Sequence, residues 1–199
     1  MKLSIFAAAI GFAAFAPALM TAPSAQAQSA VAKCAANVGN TAKVLRVSPK
    51  FATSQNIGRT CSMNSARPVL STAEFLRRYV VAAKIGQKVA PPQVMKACPA
   101  MARKAVVTAG ANPKAASADN MKKACAAGKG RPVIATAGFL SSMTAGVRCM
   151  DRTMKSFRAL QIDPKVGSQK NAQTACKNAR NRPAIAVRNF LARLTKNAK

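Results

Sequence analysis

Apolar residues recur at intervals of three and four along most of this chain, with charged and polar residues between them. Cys34, Val38, Ala42 and Leu45 make one such series, the spacing that lines one face of a helix of 3.6 residues per turn. Met150, Met154, Phe157 and Leu160 make a second, with Asp151, Arg152, Lys155 and Arg158 on the other side. In a third, Val69, Ala73, Leu76 and Val80 form the stripe and Thr72, Glu74, Arg77 and Arg78 lie outside it. The first two series each run up to a Pro-Lys pair, which stops one helix or opens the next because proline has no N–H to give a helix interior. A second helix is expected from about that proline to the following cysteine. No segment requires a strand, so the fold class expected is all-α.

The pattern repeats. Cys34 and Cys61, Cys98 and Cys125, and Cys149 and Cys176 are each 27 positions apart. Inside each interval stand Pro49-Lys50, Pro113-Lys114 or Pro164-Lys165, and then Asn56, Asn120 or Asn171, at matching offsets. Beyond it come Arg67-Pro68, Arg131-Pro132 or Arg182-Pro183, then Phe75-Leu76, Phe139-Leu140 or Phe190-Leu191. Landmarks in constant register mark tandem copies of one supersecondary unit. The expected architecture is a short helical repeat array of three tandem disulfide-stapled three-helix units. Residues 28–84, 97–147 and 148–199 form the units, and 85–96, with Pro91-Pro92, is a linker or helix break.

The proline lies near the middle of each interval, so the chain goes out along one helix and returns along the next, bringing the two cysteines to one level. Six cysteines allow 15 connectivities. The equal intervals select Cys34–Cys61, Cys98–Cys125 and Cys149–Cys176. Closing a loop of this size stabilises by about 3 to 4 kcal/mol, which matters because alanine-rich helices bury little apolar area. Zinc ligation is disfavoured by the spacing and by the absence of His. Methionines at helical spacing, Met101, Met121, Met150 and Met154, read as core fillers, as do Phe75, Phe139 and Phe190.

Residues 1–27 have the parts of a secretory signal: Lys2, an apolar run from Leu3 to Met20, and Ala25-Gln26-Ala27 at the cleavage site. The expected location is periplasmic or secreted, an oxidising setting that suits the disulfides. Charge then narrows the function. The chain has 32 Lys and Arg against 4 Asp and Glu, a net charge of +28, and a field of one sign concentrates anions. With no His, scattered carboxylates and no phosphate-cradling loop, conventional enzymatic chemistry lacks its groups, and no cofactor is expected. The expected partner is an acidic polymer or an acidic protein. Nucleic acid is the weaker choice because aromatics for base stacking are few, and a membrane surface is a further candidate. Two repeated basic sets are candidate anion contacts: Lys50, Lys114 and Lys165, and Arg67, Arg131 and Arg182. Arginine can hold phosphate, sulfate or carboxylate bidentately, whereas lysine acts as a point charge.

Overall fold

A computed structural model describes residues 25–86 and 89–197. The expected leader, residues 1–27, lies outside the described residues except for its last three, which open the first helix. Among the described residues there are nine α-helices and no strand: α1 (Ala25–Val44), α2 (Ser54–Met63), α3 (Pro68–Ala82), α4 (Pro92–Thr108), α5 (Ala118–Ala127), α6 (Pro132–Met143), α7 (Ala145–Ala159), α8 (Gln169–Asn178) and α9 (Pro183–Asn197). The three disulfides are Cys34–Cys61, Cys98–Cys125 and Cys149–Cys176, with Cα atoms 5.9 to 6.0 Å apart. Each ties the first helix of a unit to the second.

The turn between those two helices is built the same way three times. The first helix ends in a residue with left-handed backbone, Arg46 (φ 53°), Gly110 (φ 88°) or Gln161 (φ 53°). The N–H of the next residue, Val47, Ala111 or Ile162, bonds back to the carbonyl of Ala42, Val106 or Phe157, the closure that satisfies the carbonyls of a helix end. The Pro-Lys pair therefore sits in the turn, and the second helix starts several residues later than the proline suggests. Its start is set by Thr53, Ser117 or Ser168, whose hydroxyl accepts the N–H of Asn56, Asn120 or Asn171. Each Asn side chain in turn donates to the carbonyl of Phe51, Ala115 or Val166 at 2.7 to 2.9 Å. This cross-turn bond gives the repeated asparagine its role.

The third helix of each unit opens with Arg-Pro. Its N-cap is Arg67 or Arg131 in the first two units, with proline at the first helical positions, where its missing N–H costs nothing. One row of α3 and α6, Ser71 with Phe75 and Ala135 with Phe139, faces its own unit. A second row crosses to the neighbour. Ala73 and Val69 pack into the core of the second unit with Cys98, Ala102, Val106 and Leu140. Reciprocally, Ala137 and Val133 pack into the core of the first with Cys34, Val38, Leu45 and Leu76. Ala73 and Ala137, and Val69 and Val133, are the same positions of the repeat. Equivalent residues that exchange cores in this way define an isologous contact, so the first two units are related by a pseudo-two-fold axis, with α3 along α6 and α1 beside α4.

That pairing corrects one face assignment. Thr72, expected outside the stripe of α3, is fully buried, as is its equivalent Thr136, because α3 is sandwiched between its own unit and α6. The hydroxyls of Ser71, Thr72 and Thr136 have no hydrogen-bond partner among the described residues. A buried hydroxyl without a partner costs about 1 to 3 kcal/mol. We predict that the double substitution Thr72→Val and Thr136→Val raises stability by about 1 to 2 kcal/mol in urea titration. Unchanged or lower stability would show that these hydroxyls are satisfied. The third unit already carries Val187 at this position.

The third unit differs. A 54° bend at Thr144 separates α6 from α7 and carries the unit away from the pseudo-two-fold pair. The buried seam of α7 is Cys149, Thr153 and Phe157: Phe157 is buried as expected, while Cys149 and Thr153 take the places expected of Met150 and Met154, one residue earlier. Met150 and Met154 are half-buried, and Leu160 is 52% exposed. The disulfide at Cys149 sets this rotation, because the sulfur has to point at α8, and Thr153 sits beside it, its Oγ1 3.3 Å from Cys176 Sγ. Of the four methionines expected in the core, only Met121 is fully buried; Met101, Met150 and Met154 are half-buried. Phe75 is buried, and Phe139 and Phe190 are partly buried against their units. Phe190 also pairs with Phe157 at 4.3 Å between ring centroids.

Candidate anion-binding groove

Lys50, Lys114 and Lys165 stand exposed in the three equivalent turns. The backbone N–H of Lys114 and of Lys165 bonds the side chain two residues earlier, Asn112 and Asp163, so these turns are locally braced while the ammonium groups face solvent. The three arginines stand at the starts of the third helices. Arg182 is exposed and Arg131 half-buried. Arg67 donates from Nη2 to Asp151 Oδ2 at 2.6 Å, linking the first unit to the third. Regular stacking of the units would line each set along one edge, and the first two units are instead paired face to face.

The larger concentration of charge lies in the groove between the first and third units. Its volume is about 660 Å³, and its cations are Arg67, Arg77, Arg78, Arg148, Arg152 and Lys155, set on α3, on α7 and at the start of α3. Only two carboxylates share it, Glu74 and Asp151, and both are engaged. Arg77 grips Glu74 with two bonds of 2.9 and 3.1 Å, and Arg78 adds a third at 2.9 Å. The Arg77 hydrogen bond, partly offset by burial and reinforced by Arg78, holds Glu74 below the ordinary carboxylate range. Glu74 thus stays ionised at neutral pH and organises the arginine heads. Asp151 fixes the head of Arg67 through its ion pair.

Arg148 is half-buried among these cations. Burial is the main cause lowering its pKa, Glu74 acts the other way, and the positive neighbours Arg152 and Arg77 lower it further. A guanidinium stays charged through such shifts, so the direction reports first its burial and then its positive neighbours. Arg148 makes one hydrogen bond of its own, to the Ser141 carbonyl. Bound anions would relieve this cluster. Of the groove cations, sequence reading singled out Arg67 alone. The others escaped it because none is basic in all three copies, and Arg77 and Arg78 meet Arg148 and Arg152 only through the placement of the third unit against the first.

Fold and groove together define the class: a disulfide-stapled, all-α protein of three repeated three-helix units, with a cationic groove where the outer two meet. Three disulfides suit an oxidising compartment. Comparison of the chain with protein-family models, with curated proteins and with solved structures finds no match.

Proposed function

We propose that this is a non-enzymatic, exported, cationic protein that binds anionic polymers or surfaces in the cell envelope or outside the cell. Lipopolysaccharide and acidic polysaccharide are the preferred partners, and nucleic acid is the weaker one. The observation that carries the reading is the groove: six cations around two carboxylates that are already engaged. Guanidinium groups fixed by Glu74 and Asp151 are preorganised to take phosphate, sulfate or carboxylate without losing much side-chain entropy. The net charge of +28 steers such partners to the protein, and the effect weakens with salt. The signal-like residues 1–27 and the disulfides support a periplasmic or secreted location.

The test is retention of the oxidised protein on immobilised lipopolysaccharide and on heparin, at low salt and at about 0.5 M salt. Binding at low salt with release at high salt is expected. Arg148→Glu with Arg152→Glu should weaken binding at least about tenfold, since even one lost charge-assisted contact is worth about 1.5 kcal/mol or more. The same reversal at Lys114 and Lys165, which do not line the groove and are set in separate turns, should cost much less. Equal losses from both pairs would mean that charge is read globally, and no retention at low salt would end the proposal.

A second reading, an accessory subunit that docks on an acidic protein of an envelope or extracellular assembly, is favoured by an apolar row on the third unit, Leu160, Val187 and Leu191, of which Leu160 is 52% exposed and the other two half-buried.

A further inference from the structure

Pairing of the first two units shows what one face of this repeat is for, and the third unit carries the same face uncovered. In the first two units the pairing face is closed: Thr41 and Ala105, Leu45 and Ala109, Thr72 and Thr136, and Leu76 and Leu140 are all buried, none above 4% exposure. The third unit has Ser156, Leu160, Val187 and Leu191 at those positions. Leu160 is 52% exposed and the other three are half-buried. No described residue of the chain covers them as α4 and α6 cover the first unit.

One position breaks the likeness. Ala73 and Ala137, the residues exchanged across the pseudo-two-fold axis, are replaced by Arg188, which is exposed. A second copy pairing here would drive Arg188 into the seam of its partner, at the place where Ala73 meets Ala102 and Val106. The equivalents of those two residues are Thr153 and Phe157, so the guanidinium would be buried with neither space nor a carboxylate, at a cost of several kcal/mol. Neither α9 nor the Arg152, Ser156, Leu160 row of α7 contains an acidic residue, and residues 1–24 contain none either. Neither a second copy nor the leader answers the charge.

We propose that this face is a docking surface for a helical partner protein whose apolar stripe carries a carboxylate set against Arg188. The shape follows from the sister units, where the same face takes α-helices crossing it. The sign follows from the arginine: amid Leu160, Val187 and Leu191 it rejects an uncharged helix and rewards one with a buried acid, the attractive and repulsive halves of specificity. The proposal deepens the accessory-subunit reading and rests on it, and it leaves the groove between the first and third units free.

The full-length, oxidised protein supplies its own probe. Ser156→Asp with Arg188→Ala turns a copy of the chain into a helical partner with an acid on the α7 row beside Thr153 and Phe157, where an incoming Arg188 lands, and with alanine at the position that Ala73 and Ala137 hold in the sister units. Ser156 is half-buried and Arg188 exposed, so the changes do not threaten folding. Wild type alone and the double variant alone should each sediment as monomers at about 50 µM, while their equimolar mixture forms a 1:1 complex. Leu160→Asp in either chain should weaken that complex at least about tenfold, the loss of a central apolar contact, whereas Arg148→Glu with Arg152→Glu should not, which separates this face from the polyanion groove. Self-association of wild type would make a second copy the occupant and overturn the proposal. So would a mixture that stays monomeric. Binding of wild type to phosphatidylglycerol vesicles that Leu160→Asp abolishes, with no 1:1 complex, would assign the face to a lipid surface instead.

Discussion

Replacing Cys149 and Cys176 by serine should unfold the third unit while the paired first and second units stay folded. The third unit has the smallest buried cluster: Cys149, Ala175, Cys176, Ala179 and Ala186, with Ile185 and Phe190 packed against it. Two of those five residues are the disulfide, and the other three are alanines, each of which contributes little burial. The first unit by contrast buries Val38, Leu45, Ile57, Phe75 and Leu76 around its disulfide and borrows Ala105 and Ala137 from the second. The staple is worth about 3 to 4 kcal/mol by loop closure, comparable with all the stability a small domain of this size keeps. Hydrogen exchange should show amides of α7, α8 and α9 losing protection while α1, α3, α4 and α6 keep theirs. Equal protection across all nine helices would mean that the third unit stands on packing alone. The corresponding loss of Cys34–Cys61 should cost stability without unfolding its unit at room temperature, because the second unit continues to cover that core.

The second large effect is expected at Ala73. Its side chain is fully buried within the core of the second unit, so Ala73→Arg places an unpaired cation between two packed units, a change that typically costs 4 kcal/mol or more, about the upper end for single substitutions. The pseudo-two-fold relation adds a sharper expectation. Ala137→Arg should do the same damage, because Ala137 enters the first unit as Ala73 enters the second. In both variants far-UV circular dichroism should retain helix while small-angle scattering shows an expanded particle, the units having come apart with their disulfides intact. The third unit tolerates arginine at this position, Arg188, because nothing described covers it. Were one of the two alanines to accept arginine and the other not, the pairing would be head-to-tail, and the argument for the open face of the third unit would fail with it.

Much of this architecture is legible in the residues. Equal cysteine intervals gave the disulfide pairs, and the stripe Cys34, Val38, Ala42, Leu45 is the buried seam of α1. The Arg-Pro landmarks mark the starts of α3, α6 and α9. The helix caps were legible too but unread: Thr53, Ser117 and Ser168 each stand three residues before the repeated asparagine, a capping pattern of hydroxyl followed by a side chain that reaches back. The misplaced stripe of α7 has a different cause. Met150 and Met154 lead to the buried Phe157 at helical spacing as well as Cys149 and Thr153 do, and periodicity alone does not choose between starts one residue apart. The covalent link at Cys149 does.

By itself, then, the sequence determined what is local or repeated: helices, their caps and breaks, the three units, their staples and the sign of the charge. These follow from neighbouring residues and from equal spacing, which one chain displays three times over. Tertiary structure alone decided how the units meet. It exchanged Ala73 and Ala137 across a pseudo-two-fold axis, buried Thr72 on a face that reads as polar, gathered Arg67, Arg77, Arg148 and Arg152 into one groove, and left Arg188 and Leu160 uncovered. The physical reason is that alanine and threonine are found both inside and outside, and that arginine's preference for the surface does not say what it will face there. Where such a residue lies is set by what the rest of the chain packs against it.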